Sequence, residues 1–364
     1  MSEGWGIYLQ VPFCPTLCPY CDFPVVLRTP GMVEAYLKRL AEEARALYAA
    51  FPIHPQSLYL GGGTPSFLKE RELEALFSAL PWPLAGAEVS LEANPGTLNR
   101  ARLALLRDLG VNRISLGIQS FQEAVLRRLG RAHRRRGAFR AVELVQDSGL
   151  RWSLDLILGL PEQDPWADLR EARAVGAPHL SVYSLQIEPG TPFALEEYQP
   201  DEIPFEAVEK LLAEGGLERY EVSNFARPGE ACRHNLLYWR GGFWLGLGPK
   251  AVAQLPGHPR RRETRPPLPR WLQGKPPEVE ELDEEEFLKE RIMLGLRLKE
   301  GLELGALVEL PELLKAIEEL QEDGLLFLRG TRLQPTSRGL NFLHPVILKL
   351  WQALERAGQG PSGG

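Results

Sequence analysis

The 364-residue sequence has only four cysteines, and no apolar run in it approaches the roughly 20 residues that a membrane-spanning helix needs. Three of the four, Cys14, Cys18 and Cys21, fall within eight residues of one another. That crowding excludes a disulfide framework and points to metal binding in a reducing compartment. Positive charge is not in surplus: 42 Lys and Arg stand against 48 Asp and Glu, for a net charge of −6. Nucleic acid is therefore not expected as a partner. No signal peptide is recognisable, because Ser2-Glu3-Gly4 leads directly into a short apolar strand. These absences together predict a cytoplasmic protein without a transmembrane segment. No G-x-G-x-x-G follows the first predicted strand, so a Rossmann sheet is not indicated either. The remaining composition, 44% hydrophobic and 25% charged, is ordinary and ample for a sizeable core.

Short apolar runs alternate with amphipathic helical stretches through the first 250 residues. The predicted strands are Ile7–Val11, Ser57–Leu60, Glu88–Glu92, Ile114–Ile118, Trp152–Leu158 and Leu180–Leu185. Between them lie helical patterns at Met32–Tyr48, Lys69–Ala79, Asn99–Asp108, Glu123–Leu129, Arg140–Asp147 and Asp164–Ala174. Strands alternating with helices imply βαβ units, a parallel sheet and, with six units, an open partial (β/α)6 barrel over residues 1–255. Ligands gather at the carboxyl ends of strands in such barrels. Residues 256–282, with seven prolines before residue 278 and the run Arg260-Arg261-Arg262, read as a linker. Residues 283–356 show helices at Asp283–Lys299 and Pro311–Glu322. A hairpin pattern follows at Leu325–Phe327, Gly330-Thr331 and Leu333–Pro335. This order suggests a small winged-helix-like α+β domain serving as a lid or docking module. Residues 357–364 read as a disordered tail.

Cys14-Pro-Thr-Leu-Cys18-Pro-Tyr-Cys21 places CxxxCxxC in the loop after the first strand. Three thiolates from one tight loop suit a [4Fe–4S] cluster with one iron left open to a ligand. A structural zinc site with Cys232 as fourth ligand is the alternative, although zinc ligands usually pair as CxxC.

With this loop the chain resembles the radical S-adenosylmethionine (SAM) superfamily. The resemblance runs on through Tyr8-Leu-Gln-Val-Pro-Phe-Cys14, Gly61-Gly-Gly-Thr-Pro65, Glu92-Ala-Asn-Pro95, Gly117-Ile-Gln-Ser-Phe121 and Asp155-Leu-Ile-Leu-Gly-Leu-Pro161. In order and spacing these match the oxygen-independent coproporphyrinogen III oxidase-like family over about 250 residues. The resemblance implies that Cys14, Cys18 and Cys21 ligate the cluster and that SAM lies nearby. Gly62, Gly63 and Thr64 would bind its methionyl end, Glu92 an ammonium or a ribose diol, and Arg131 its carboxylate. Gln119 and Asp155 are polar strand-end residues inside apolar runs, and Tyr8 and Tyr20 flank cluster and SAM. Without the resemblance, Gln119 and Asp155 would read as satisfied core polar groups and the two tyrosines as core aromatics.

Two subgroups of this family differ near the cluster. Oxidases carry a fourth cysteine two residues after the third and a long N-terminal extension. Here that position is Phe23, and 13 residues precede Cys14. Haem chaperones of the HemW subgroup carry Phe at this point together with HNxxYW, which is matched in full by His234-Asn235-Leu-Leu-Tyr238-Trp239. An imidazole beside aromatic rings can ligate haem iron while the rings pack on the macrocycle. His234 can equally be a buried, backbone-bonded histidine, and Cys232 either a second haem ligand or an inert thiol. Gln10 stands where a His is common in the family, and Lys250 where a small residue is usual. The expectation is a haem chaperone that binds haem, a [4Fe–4S] cluster and SAM, and passes haem to an acceptor the sequence does not identify. Coproporphyrinogen oxidase activity is not expected; an anaerobic coproporphyrinogen III oxidase or another radical SAM oxidoreductase is the alternative.

Overall fold

The computed structural model describes residues 4–196, 198–257 and 259–358. Six strands form its centre: β1 (Trp5–Val11), β2 (Ser57–Gly62), β3 (Glu88–Ala93), β4 (Arg113–Gln119), β5 (Arg151–Leu158) and β6 (His179–Ser184). Each pairs parallel with its sequence neighbour, giving the order β1-β2-β3-β4-β5-β6. The helices between them include α1 (Met32–Ala50), α2 (Glu70–Ser78), α3 (Arg100–Asp108), α4 (Glu123–Arg128), α5 (Arg135–Asp147) and α6 (Pro165–Ala174). The expected six-unit barrel is thus present, with strand and helix ends shifted by a few residues.

Alternation along the strands decides what lines the barrel. Leu9, Leu58, Leu60, Val89, Leu91, Ile114, Leu116, Leu154, Leu156, Leu180 and Val182 are fully buried in one hydrophobic cluster. The intervening positions, among them Tyr8, Ser90, Glu92, Ser115, Ser153, Asp155 and Ser181, line a cavity. In a filled barrel those inward positions carry bulky branched side chains. Here small hydroxyls and carboxylates leave room.

Beyond the six strands the sheet is larger than the pattern predicts. After α7 (Phe205–Ala213), β7 (Glu218–Arg219) and β8 (Asn224–Ala226) extend it antiparallel past β6, and α8 (Arg233–Trp239) follows them. β9 (Phe243–Leu247) lies parallel to β1 on the other side, and β10 (Val252–Leu255), β11 (Arg260–Thr264) and β12 (Glu278–Leu282) continue antiparallel from it. The stretch expected to be a linker at 256–282 therefore contributes two strands and helix α9 (Leu268–Leu272). The physical reason is charge pairing. Arg261 stands opposite Glu281 and Arg262 opposite Glu280, with Arg262 and Glu280 ion-paired at 3.0 Å. A strand pair held by opposite charges has no apolar alternation to read.

A second hydrophobic cluster gathers Ile292, Leu313, Ile317, Leu320, Leu326, Leu333, Val346 and Leu350. It joins α10 (Glu284–Gly295), α11 (Pro311–Glu322) and the strands β13 (Leu302–Glu303), β14 (Leu326–Arg329) and β15 (Arg332–Pro335). A long final helix (Leu343–Gly358), absent from the sequence reading, completes it with apolar residues at 343, 346, 347, 350, 353 and 354. Ala357 and Gly358, expected in a disordered tail, belong to this helix. The rest of that tail lies outside the described residues. No helix of the described residues is long and apolar enough to cross a membrane.

Candidate functional site

One cavity of about 690 Å³ runs through the open barrel, within the size range of small-molecule sites. All the candidate cluster-, SAM- and haem-binding residues named from the sequence line it except Cys14, whose sulfur lies 3.7 Å from the cavity-lining Thr64 hydroxyl. Cys18 and Cys21 line the cavity beside Tyr20 and Arg131, at the carboxyl ends of the strands. Burial pushes the Cys14 thiol up to about 11 and the Cys21 thiol in the same direction. Ligation would therefore release protons. Among the described residues no three His, Cys, Asp or Glu side chains are arranged to hold a single metal ion. In a four-iron cluster each thiolate takes its own iron, so the three sulfurs need not converge on one point. Cys232 cannot complete a zinc site: it is buried, its sulfur 3.5 Å from Glu88 Oε1 at the amino end of β3.

Two N–H groups of the glycine triplet have partners within the chain: Gly62 donates to Glu92 Oε2 at 3.0 Å, Gly63 to the Val11 carbonyl at 2.9 Å. Gly62 has φ +98°, and a side chain on Gly63 would stand 2.8 Å from the carbonyl oxygens of Val11 and Phe13. The close approach these glycines permit is thus to the chain's own first strand. Glu92 also accepts from Tyr59 at 3.0 Å, and burial beside Asp155 raises its carboxyl to about 7. Asp155 accepts from Ser115 at 3.0 Å and is itself raised by burial. Gln119 ends β4 at φ +68°, in the left-handed region that non-glycine residues rarely adopt, where the β4–β5 register shifts.

Arg131 was expected to meet a ligand carboxylate. It donates to Cys18 Sγ at 3.6 Å, to the Gly117 carbonyl at 2.8 Å and to Asn94 Oδ1, and among the described residues its Nε has no partner. Tyr8 donates to Gln10 Oε1 at 2.6 Å, and the Gln10 Nε2 is buried and unpartnered. Lys250 is exposed at φ +62° and does not line the cavity.

The HNxxYW segment forms helix α8 (Arg233–Trp239), whose N-cap is Cys232, and it packs at the opposite end of the cavity. His234 and Tyr238 are four residues apart and so share a face. His234 Nε2 lies 2.8 Å from the Tyr238 hydroxyl, and Nδ1 lies 2.8 Å from Ser57 Oγ, at the amino end of β2. Both ring nitrogens of the buried His234 thus have partners, and these are side chains where the alternative reading expected backbone. Burial depresses its imidazole to about 3. Tyr59 stacks on this ring at 5.3 Å while its hydroxyl reaches Glu92. One side chain thus touches both ends of the site. The sequence reading passed over Tyr59, Ser57 and Asn94. Their signal was the strand alternation, which turns Ser57 and Tyr59 inward, and the Asn inside Glu92-Ala-Asn-Pro95.

Several polar atoms meet no partner among the described residues: Ser90 Oγ, Arg113 Nη2, Arg131 Nε, Glu221 Oε2, Asn224 Oδ1 and Trp239 Nε1. All belong to residues lining this cavity. Buried polar groups in native proteins are satisfied, so a cavity so lined is built for a polar occupant or ordered water. Of these atoms Arg131 Nε lies beside Cys18, where the residues present fit a polar ligand.

Residues 8–172 match the model of the radical SAM superfamily, and residues 282–342 that of the HemN C-terminal domain. Among similar proteins is "Heme chaperone HemW" of Synechocystis, 38% identical over 81% of this chain and 78% of its own length. The protein of that name from Mycobacterium tuberculosis H37Rv is 37% identical over 96% of this chain and 95% of its own. In structure the chain is similar to the coproporphyrinogen III oxidase (HemN) of Escherichia coli. The TM-score is 0.81 at 21% identity, covering 96% of this chain and 90% of that one. At that identity the likeness concerns the fold.

Proposed function

The chain belongs to the radical SAM superfamily, in the family of its heme chaperone HemW relatives, and from that membership we propose that it is a haem chaperone, binding haem and passing it to an acceptor protein. The observation that carries this reading is the similarity to proteins of that name over four fifths and more of the chain. Phe23 in place of an oxidase cysteine and the complete HNxxYW segment support it.

In this reading Cys14, Cys18 and Cys21 hold a [4Fe–4S] cluster, which supplies an open iron and low-potential electrons when bound. SAM lies between Tyr8, Tyr20 and the Gly62-Gly63-Thr64 turn. Its ammonium, which can only donate, would meet backbone carbonyls and the Glu92 carboxylate. Gln119 and Asp155 face its nucleoside, and the free Arg131 Nε remains for its carboxylate. Haem is the cargo. With Ser57 accepting from Nδ1–H, His234 keeps its Nε2 lone pair for the haem iron once the Tyr238 hydroxyl withdraws, while Tyr238 and Trp239 offer rings to the macrocycle. Cys232 is not the ligand, because burial beside Glu88 holds its thiol up at about 12. Three cluster thiols suit a reducing, cytoplasmic compartment.

The test is haem titration into anaerobically reconstituted protein, with a parallel assay of coproporphyrinogen III in the presence of SAM and reductant. A stoichiometric haem complex and no decarboxylation are expected. Turnover to protoporphyrinogen IX would overturn the chaperone reading in favour of the oxidase.

A further inference from the structure

Two of the three cluster cysteines lie within hydrogen-bond reach of side chains that no cluster-binding motif includes, and those side chains are joined to each other. Thr64 Oγ1 lies 3.7 Å from Cys14 Sγ, and Arg131 Nη1 lies 3.6 Å from Cys18 Sγ. Asn94 stands between them, its Nδ2 2.9 Å from Thr64 Oγ1 and its Oδ1 bonded to Arg131 Nη2.

With Cys14 as a thiolate on iron, the chemistry of these groups orders the relay. A guanidinium can only donate, so the atom of Asn94 facing Arg131 must be its oxygen. The amide nitrogen is thereby turned toward Thr64 and donates to the hydroxyl oxygen. That leaves the Thr64 proton free, and the remaining neighbour on its path is Cys14 Sγ. A thiolate bound to iron can only accept, which matches this direction. The whole relay is protected: Thr64 is buried, as is Arg131, and Arg131 is further pinned by the Gly117 carbonyl at 2.8 Å. Hydrogen bonds to cluster sulfurs, like burial, are among the levers that set an iron–sulfur reduction potential. Donors stabilise the more negative, reduced state and so raise it.

We infer that Asn94 is a positioning residue: held by Arg131, it aims the Thr64 hydroxyl at Cys14 and, with the Arg131 bond to Cys18, raises the reduction potential of the cluster. This rests on the reading that Cys14, Cys18 and Cys21 carry a [4Fe–4S] cluster. It also links the SAM end of the site to the cluster, because the one unpartnered nitrogen of Arg131 is the atom left for a carboxylate.

The experiment is a mediated redox titration, followed by EPR, of the anaerobically reconstituted full chain and three variants. Thr64→Val removes the donor at nearly constant shape and should lower the midpoint potential, whereas Thr64→Ser should restore it. Asn94→Asp is the sharper variant. A carboxylate keeps the bond to Arg131 but can only accept from Thr64, so the hydroxyl turns away from Cys14. It should shift the potential in the same direction as Thr64→Val with four irons still bound per chain. Resonance Raman gives an independent readout: the Fe–S(Cys) stretch should respond to D2O in the wild type and less in Asn94→Asp, even if Thr64→Val loads poorly. Wild-type protein that takes up no cluster would defeat the underlying reading. A cluster whose potential and D2O response are the same in wild type and Asn94→Asp would overturn this inference alone.

Discussion

His234 Nε2 and the Tyr238 hydroxyl lie 2.8 Å apart across one turn of α8, so the nitrogen best placed to ligate iron already has a partner. Haem must displace that hydroxyl. Tyr238→Phe should therefore bind haem at least as tightly as the wild type, while His234→Ala should lose or shift the Soret band. The lost hydrogen bond should cost Tyr238→Phe about 1 kcal/mol of stability. Haem affinity unchanged in His234→Ala, by spectrophotometric titration, would move the ligand elsewhere.

Cys232 lies two residues before His234 yet behaves as its opposite. Its thiol is buried against the Glu88 carboxylate, and burial first, then that charge, lifts it to about 12. Native protein should leave Cys232 unalkylated by iodoacetamide at pH 8 and expose it only on denaturation, as mass spectrometry would record. Haem spectra should be the same in Cys232→Ala as in the wild type.

The cluster cysteines give the clearest substitution test. Anaerobic reconstitution should yield about four iron and four sulfide per chain. Cys14→Ala, Cys18→Ala and Cys21→Ala should each abolish the broad charge-transfer band, while Cys232→Ala keeps it. A full complement of iron in Cys18→Ala would remove that residue from the ligand set.

How much of this was legible in sequence depends on what held each element together. The six inner strands were readable because each pairs an apolar outward face with polar inward positions, as in Trp152-Ser-Leu-Asp155. Those same inward positions, Glu92, Gln119 and Asp155, lead into the cavity. The Arg260–Thr264 strand was not readable, because its pairing is electrostatic and its partner lies nearly 20 residues on. Motif resemblance located His234 but could not show that Ser57, 177 residues away, holds its other nitrogen. Nor could it show that Arg131 and Thr64 meet through Asn94, since that contact depends on the curvature that brings three strand ends together. The long final helix has a plain i, i+3, i+4 apolar pattern, and the sequence reading simply did not include it.

Glu92 couples SAM binding to pH. Burial, with Asp155 nearby, raises its carboxyl to about 7, so near neutrality the free site is partly protonated. The raised value means the folded chain resists ionising Glu92: this costs nothing below the ordinary carboxylate range, grows above it, and is complete above about pH 7. A cationic ligand favours the carboxylate and must expel the proton. SAM affinity should therefore strengthen as pH rises toward 7, by up to about tenfold per unit, and level off above it. Calorimetry on cluster-loaded protein in buffers of different ionisation enthalpy should register proton release at pH 6 and little at pH 8. In Glu92→Gln the affinity should be weaker and flat with pH, while a wild-type slope retained in that variant would assign the titration to Asp155.

The last prediction sets two arginines at the end of the HNxxYW helix against each other. Arg240 makes a two-pronged pair with Glu300, at 2.8 and 3.1 Å, but both side chains are about half exposed. Exposed pairs are worth about 0–1 kcal/mol, because water and salt screen them and two long side chains are immobilised. Arg297 makes no such pair, yet its guanidinium lies 4.2 Å from the Trp239 ring centroid and it faces the buried Glu221. Its carbonyl also accepts from Val222 at 3.1 Å, a bond that any substitution keeps. Burial lowers the pKa of Arg297 and raises that of Glu221, so each is the other's compensation. Arg297→Ala loses a partly desolvated cation–π contact worth about 2 kcal/mol and leaves Glu221 without the positive charge that most offsets its burial. It should lower the urea midpoint clearly more than Arg240→Ala, and raising salt should shrink the Arg240 effect but not the Arg297 effect. Because Trp239 lines the cavity, haem binding should weaken in Arg297→Ala and not in Arg240→Ala. Equal losses in both variants would mean that the surface pair, not the buried stack, holds this end of the site.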